Sequence, residues 1–111
     1  MILPFEQEDR KRFYHLLDEV FDSNFWSDGA MTRRFEEKFE EYVGLHSCAV
    51  TSGGVGLLSI LEYVGVRGKE VIVPANTFWA TAQSVKKAGG QVVYADCNKE
   101  DLCMSYSDML K

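Results

Sequence analysis

An α/β architecture with a mostly parallel sheet is predicted for residues 46–111, behind a helical segment over residues 1–45. Three observations lead there. Glu70-Val71-Ile72-Val73-Pro74 is a near-continuous apolar run, as in a strand covered on both faces of a parallel sheet. From His46 to Asp96, strand-like and helix-like periodicities alternate in the order β-α-β-α-β. The first passage from strand to helix, Ala49 to Leu58, places Gly53, Gly54 and Gly56 at its tightest point.

Taken in order, the chain opens with Glu6 to Ser23, an amphipathic helix with Phe13, Leu16, Leu17, Val20 and Phe21 on one stripe. His15 lies beside that stripe without a second ligand at metal-binding spacing, so it reads as a surface or boundary residue. The loop Asn24 to Gly29 exposes aromatics, a mild binding signal, although packing of Phe25 and Trp26 under the helix is the reading preferred. Thr32 is expected to cap a second helix, with Phe35, Phe39, Tyr42 and Val43 on one face and Gly44 as its stop. Glu36, Glu37, Glu40 and Glu41 on the other face read as a solvated surface. His46 has no acidic or cysteine partner at a telling distance in the sequence.

Ser47 to Thr51 reads as the first strand, and Leu57, Leu58, Ile60, Leu61 and Val64 mark the helix after the glycines. Gly65 to Lys69 is a loop, and Glu70 to Pro74 the second strand. Ala75 to Trp79 leads into a helix ending near Ala88, Gly89-Gly90 turns the chain, and Gln91 to Ala95 is the third strand. Ser105 and Asp108 form a capping pair for a last helix that Lys111 cuts short, so the chain is expected to be a fragment of a longer protein.

Composition narrows the functional classes. The 111 residues, 46% hydrophobic, suffice for one core. A net charge of -5 argues against nucleic acid or an anionic membrane as a partner. Cys48, Cys97 and Cys103 are odd in number and form no Cys-x-x-Cys pair, as expected of reduced thiols in a cytoplasmic protein. Met1 to Phe5 lacks the basic flank and the length of a signal segment, and no apolar run is long enough to span a membrane.

The glycine turn carries the strongest chemical signal. Glycine near the start of a helix costs up to about 1 kcal/mol relative to alanine, and the usual compensation is close backbone approach. Free N–H groups and the positive dipole end make an anion such as phosphate the natural visitor. Tight strand–helix packing is the plainer alternative. A dinucleotide fingerprint fails because Gly54-Val55-Gly56-Leu57-Leu58-Ser59 ends in serine and the next strand ends in Pro74 rather than an acid. A Walker loop fails because no lysine lies between Lys38 and Lys69. Ligands of open α/β sheets sit beyond the carboxyl ends of the strands, where Ser52-Gly53-Gly54, Asn76-Thr77-Phe78 and Asp96 would gather. A phosphate beside the aromatic Phe78 describes a nucleotide or pyridoxal phosphate, although periodicity alone favours a core position for Phe78.

From Trp26 to about Asp108 the chain resembles the DegT-type, pyridoxal phosphate (PLP)-dependent sugar aminotransferases. The matching steps are Gly29, Phe35-Glu36, Tyr42-Val43-Gly44, Ser52-Gly53-Gly54-Val55-Gly56-Leu57, Gly68 to Pro74, Thr77-Phe78-Trp79-Ala80-Thr81, and Gly89 to Asp96. Their order is more specific than any one of them. The resemblance implies the N-terminal part of a fold-type I transferase large domain, entered through the helical segment. It implies PLP as cofactor, with its phosphate on the Gly53-Gly54 backbone, Val55 N–H as a third donor and Phe78 stacked on the ring. The loop from Trp26 to Gly29 would lie near the substrate entrance. A full-length homodimer would move an amino group from glutamate or glutamine to a nucleotide-linked keto sugar in amino-sugar biosynthesis.

Two departures stand out. Gly54 replaces the family threonine and its hydroxyl, and Val55 and Gly56 replace alanines. No catalytic residue is assigned, because the family's Schiff-base lysine and its aspartate partner for the ring nitrogen are expected beyond Lys111. Lys86 and Lys87 lie roughly 13 Å along the helix from Thr77, at about 1.5 Å per residue, and read as surface lysines. The chain alone is therefore expected to be inactive. A sugar dehydratase of the same family, with that lysine replaced, and a non-catalytic α/β remnant or binding module are the alternatives. The gene sequence past codon 111 discriminates: an open frame with a lysine in a Ser-x-x-x-x-Lys-like context favours an enzyme, and a stop codon favours the remnant.

Overall fold

The computed structural model describes residues 5–27 and 29–111. The readings placed on Met1 to Pro4 and on Asp28 lie outside these residues. The described chain is α/β, as predicted, and divides into two compact units, Met1–Ala49 and Val50–Lys111.

The first unit is helical. α1 (Gln7–Ser23) starts where the Glu6 N–H donates to Asp9 Oδ2 at 3.1 Å and ends on Asn24 in the left-handed region. α2 (Ala30–Val43) is capped by Gly29, so the expected cap, Thr32, lies inside the first turn. Gly44, at φ 74°, stops it as expected. An exposed Arg34–Glu19 ion pair at 2.8 Å links the two helices, a contact worth little by itself. Phe13, Leu16, Leu17 and Val20 of α1 and Met31 and Phe35 of α2 line a shared groove. Trp26 meets Phe21 edge-on, with ring centroids 4.8 Å apart, yet Phe25 and Trp26 both stay largely exposed rather than packing under the helix.

The expected strand at Ser47–Thr51 is absent as a strand. A strand is defined by its neighbours, and none among the described residues pairs with this one. Two backbone donors of the segment are met by side chains instead. The Ser47 N–H donates to Glu40 Oε1 at 2.9 Å and the Ala49 N–H to Glu36 Oε1 at 2.7 Å. These carboxylates, one helical turn apart on α2, take over the role of a neighbouring strand for alternate residues. The solvated-surface reading therefore fails for Glu36 and Glu40. His46 does have an acidic neighbour, with Nδ1 3.5 Å from Glu40 Oε1.

In the second unit the order is α3 (Gly53–Val64), β1 (Glu70–Pro74), α4 (Trp79–Lys87), β2 (Gln91–Ala95) and α5 (Tyr106–Met109). β1 and β2 are parallel and in register from Glu70 opposite Gln91 to Pro74 opposite Ala95. α4 connects them, the crossover that parallel neighbours require. Gly89 turns the chain at φ 82°, and Gly90 sits so close to Val85 that a Cβ there would lie 3.0 Å from its Cγ1. The buried apolar residues, Val66, Val73, Val85, Ala88 and Ala95, gather around this β1-α4-β2 unit. Ser105 caps α5 as expected, its Oγ accepting from the Asp108 N–H at 3.4 Å.

Candidate functional site

The glycine turn folds into the start of α3. Ser52, extended at φ -164° and ψ 160°, is its N-cap, and the Ser52 Oγ accepts from the Val55 N–H at 3.3 Å. The Gly56 N–H donates to the Ser52 carbonyl at 3.0 Å, the first bond of the helix. Among the described residues, the Gly53 and Gly54 N–H groups have no acceptor. They are the orphan donors of a helix N-terminus and lie at the positive end of its dipole. The Ser52 hydroxyl, accepting from Val55, keeps its own proton free to donate.

α4 supplies the facing wall. Its N-cap, Phe78, is 69% exposed within this chain, which does not bury it in the core position favoured by periodicity. A residue at the corner between strand and helix escapes the helical stripe that periodicity reads. The ring of Phe78 meets Trp79 at a centroid distance of 5.5 Å and keeps the rest of its surface open. Ala80, in the first turn of α4, lies 3.6 Å from the place a Cβ on Gly54 would occupy.

A cleft of about 690 Å³ lies between these helices, and Gly53, Gly54, Val55 and Phe78 all line it. The structure thus brings the four sequence-selected residues to one place. Ser52, placed at this edge by the sequence, lines it too, and the structure adds Trp79, Ser84 and Lys87. Ser52 was legible as a capping serine before a helical run. Ser84 carries no sequence signal, because a serine inside a helix announces no role. Lys87, read as a surface residue, is exposed and also borders the far end of the cleft.

Asp96, the third segment expected at this edge, is not among the lining residues. It follows β2, where its Oδ1 accepts from the Cys97 N–H at 2.8 Å and its own N–H donates to Asp108 Oδ2 at 2.7 Å. That bond, followed by the Lys111 ammonium 2.8 Å from Asp108 Oδ1, holds the Asp108 carboxyl below its ordinary range.

The chain belongs to the DegT/DnrJ/EryC1/StrS aminotransferase family, whose pattern it matches over residues 7–110. It is 33% identical over 90 residues to the 3-oxo-glucose-6-phosphate:glutamate aminotransferase of Bacillus subtilis (strain 168), covering 79% of this chain and 20% of that protein. It is 32% identical over 96 residues to the GDP-perosamine synthase of Vibrio cholerae, covering 84% of this chain and 26% of that one. Against the L-glutamine:2-deoxy-scyllo-inosose aminotransferase of Streptomyces fradiae the identity is 34% over 96 residues, 78% of this chain and 23% of the relative. The chain thus spans about a fifth to a quarter of the length of these relatives.

Proposed function

We propose that the cleft is the phosphate-and-ring portion of a PLP site, and that the full-length protein is an aminotransferase of amino-sugar biosynthesis. One observation carries this reading. The unbonded Gly53 and Gly54 N–H groups and the open ring of Phe78 line the same cleft. The donors suit a phosphate, and the exposed aromatic face suits a flat heterocycle.

Within this site the Gly53 and Gly54 N–H groups bind the phosphate, with the Ser52 hydroxyl as an additional donor. The Val55 N–H, expected from the sequence as the third donor, is committed to Ser52 Oγ in this structure, so it serves the phosphate only when that cap opens. Phe78 stacks on the ring and shields one face of it from water. Held there, the cofactor would supply an aldehyde that can carry an amino group and an electron-withdrawing ring as the electron sink. Residues 46–111 are then the first part of the cofactor-binding large domain, entered through the helical segment 1–45.

For substrates, we take a glutamate or glutamine donor and a nucleotide-linked keto sugar acceptor, in a cytoplasmic homodimer. Family membership supports the amino-sugar class, and the relatives' names include glutamate, glutamine and a GDP-linked product. No helix among the described residues is long and apolar enough to cross a membrane.

The test uses the full-length protein stripped of PLP and supplied with glutamate or glutamine and a nucleotide-linked keto sugar. Amino-sugar formation that appears only when PLP is restored is the expected result. Turnover indifferent to PLP, or no transfer to any keto sugar with PLP bound, overturns the reading.

A further inference from the structure

Ser84 is the buried polar residue of the described chain, only 4% exposed, on a helix whose other deeply buried residue is Val85. Its Oγ lies 2.8 Å from the Ala80 carbonyl, the usual partner of a serine inside a helix, and 3.0 Å from the Gly54 carbonyl of α3. A hydroxyl has one proton, and two carbonyl oxygens face it, so the proton is shared between a bond within α4 and a bond across to α3. The second acceptor belongs to one of the two glycines whose N–H groups are free. The helix carrying Ser84 also carries Phe78 at its cap. A single buried hydroxyl therefore joins the turn that offers N–H donors to the helix that offers the aromatic face.

We propose that Ser84 is a positioning residue of the cofactor site, setting the separation and tilt between the Gly53-Gly54 donors and the Phe78 ring. The inference rests on the reading of the cleft as a PLP site. In PLP a short methylene–oxygen arm joins the phosphate to the flat ring, so both subsites are engaged fully only when their spacing is held within the reach of that arm. Ser84 touches neither group. It acts through the Gly54 carbonyl on one side and α4 on the other.

The experiment is a double-mutant cycle on the full-length protein, measuring PLP affinity and thermal midpoint for wild type, Ser84→Ala, Phe78→Ala and the double variant. Ser84→Cys, which keeps the volume but is a weak donor, runs beside Ser84→Ala, and Ser84→Thr restores a hydroxyl. Ser84→Ala and Ser84→Cys are each expected to weaken PLP binding on the order of fivefold, the worth of one hydrogen bond. The loss caused by Phe78→Ala should be smaller in the Ser84→Ala background than in wild type, because the ring is already misaligned. Ser84→Thr should recover most of the affinity.

Strictly additive losses, or unchanged PLP affinity in folded Ser84 variants, overturn the positioning role while leaving the cofactor site intact. Failure of both Ser84→Ala and Ser84→Cys to fold also overturns it, since Ser84 is then a folding residue. If Phe78→Ala alone leaves PLP affinity unchanged, the cofactor reading of the cleft itself falls.

Discussion

The family resemblance sets Gly54 against a threonine, and the structure shows that its backbone does not demand glycine. Its φ is not positive, and an added Cβ would make ordinary contacts at 3.6 Å with Ala80 and 3.8 Å with the Ser52 Oγ. Gly54→Thr should therefore fold normally, with a thermal midpoint equal to wild type or higher. In full-length protein it should hold PLP at least as tightly, because a hydroxyl donor joins the backbone N–H groups. An equilibrium dialysis measurement showing weaker retention would mean that the added side chain blocks the phosphate. Phe78 makes the complementary case. Being exposed, it should cost little folding stability when truncated, far from the roughly 3–5 kcal/mol of a core phenylalanine. Phe78→Ala should instead weaken PLP binding by on the order of 1–3 kcal/mol, by analogy with base–aromatic stacking. Melting the apo-protein alongside a PLP titration separates the two costs. At this scale the sequence revealed which residue types belong together but misjudged the environment of Phe78, which is decided by where the chain bends.

Elements were legible wherever their determinants are local. β1, β2 and the helix stops at Gly44 and Gly65 fall where apolar runs and glycines put them. The segment from Ser47 to Thr51 was not, because strand formation depends on a neighbour that local sequence does not describe. Its clasp by Glu36 and Glu40 joins residues separated by 13 and 7 positions, beyond any periodicity. The clasp has a pH signature. The Ser47 N–H bond, more than the His46 contacts, holds the Glu40 carboxyl below its ordinary value of 4.5. A carboxyl lowered in the folded state stabilises it fully above the unfolded value, and that contribution is lost as pH falls through the lower, folded value. Protection of the Ser47 amide against hydrogen exchange should therefore persist as pH falls through 4.5 and be lost only at lower pH, as the folded carboxyl takes up its proton. In Glu40→Gln the protection should no longer vary with pH over that range. Protection in wild type that ignores pH would show that the carboxylate is not what holds the segment.

Among the described residues, few apolar side chains are buried, while Phe35, Ile60, Tyr63, Phe78 and many others remain exposed. The sheet has only two strands, so β1 and β2 each keep one unpaired edge among the described residues. A chain of these 111 residues by itself should be weakly stable or self-associating. Sedimentation velocity should show concentration-dependent species, whereas a monodisperse monomer with a sharp cooperative melt would mean that its open edges are covered in solution. The α/β class was legible from alternation alone, because it follows from periods along the chain. Sheet order is not legible in those periods, since pairing is a property of partners distant in sequence; it is the family resemblance that sets the Ser47–Thr51 segment apart from the two strands that pair.

A crystal structure of the full-length protein with PLP would show at once whether the Ser52–Gly54 turn and Phe78 form the phosphate and ring subsites of a PLP site. Phosphate oxygens are expected at hydrogen-bond distance, about 2.7–3.2 Å, from the Gly53 and Gly54 nitrogens, with the pyridine ring lying on Phe78. A phosphate held elsewhere, with the Gly53 and Gly54 N–H groups facing solvent or another part of the protein, would contradict it.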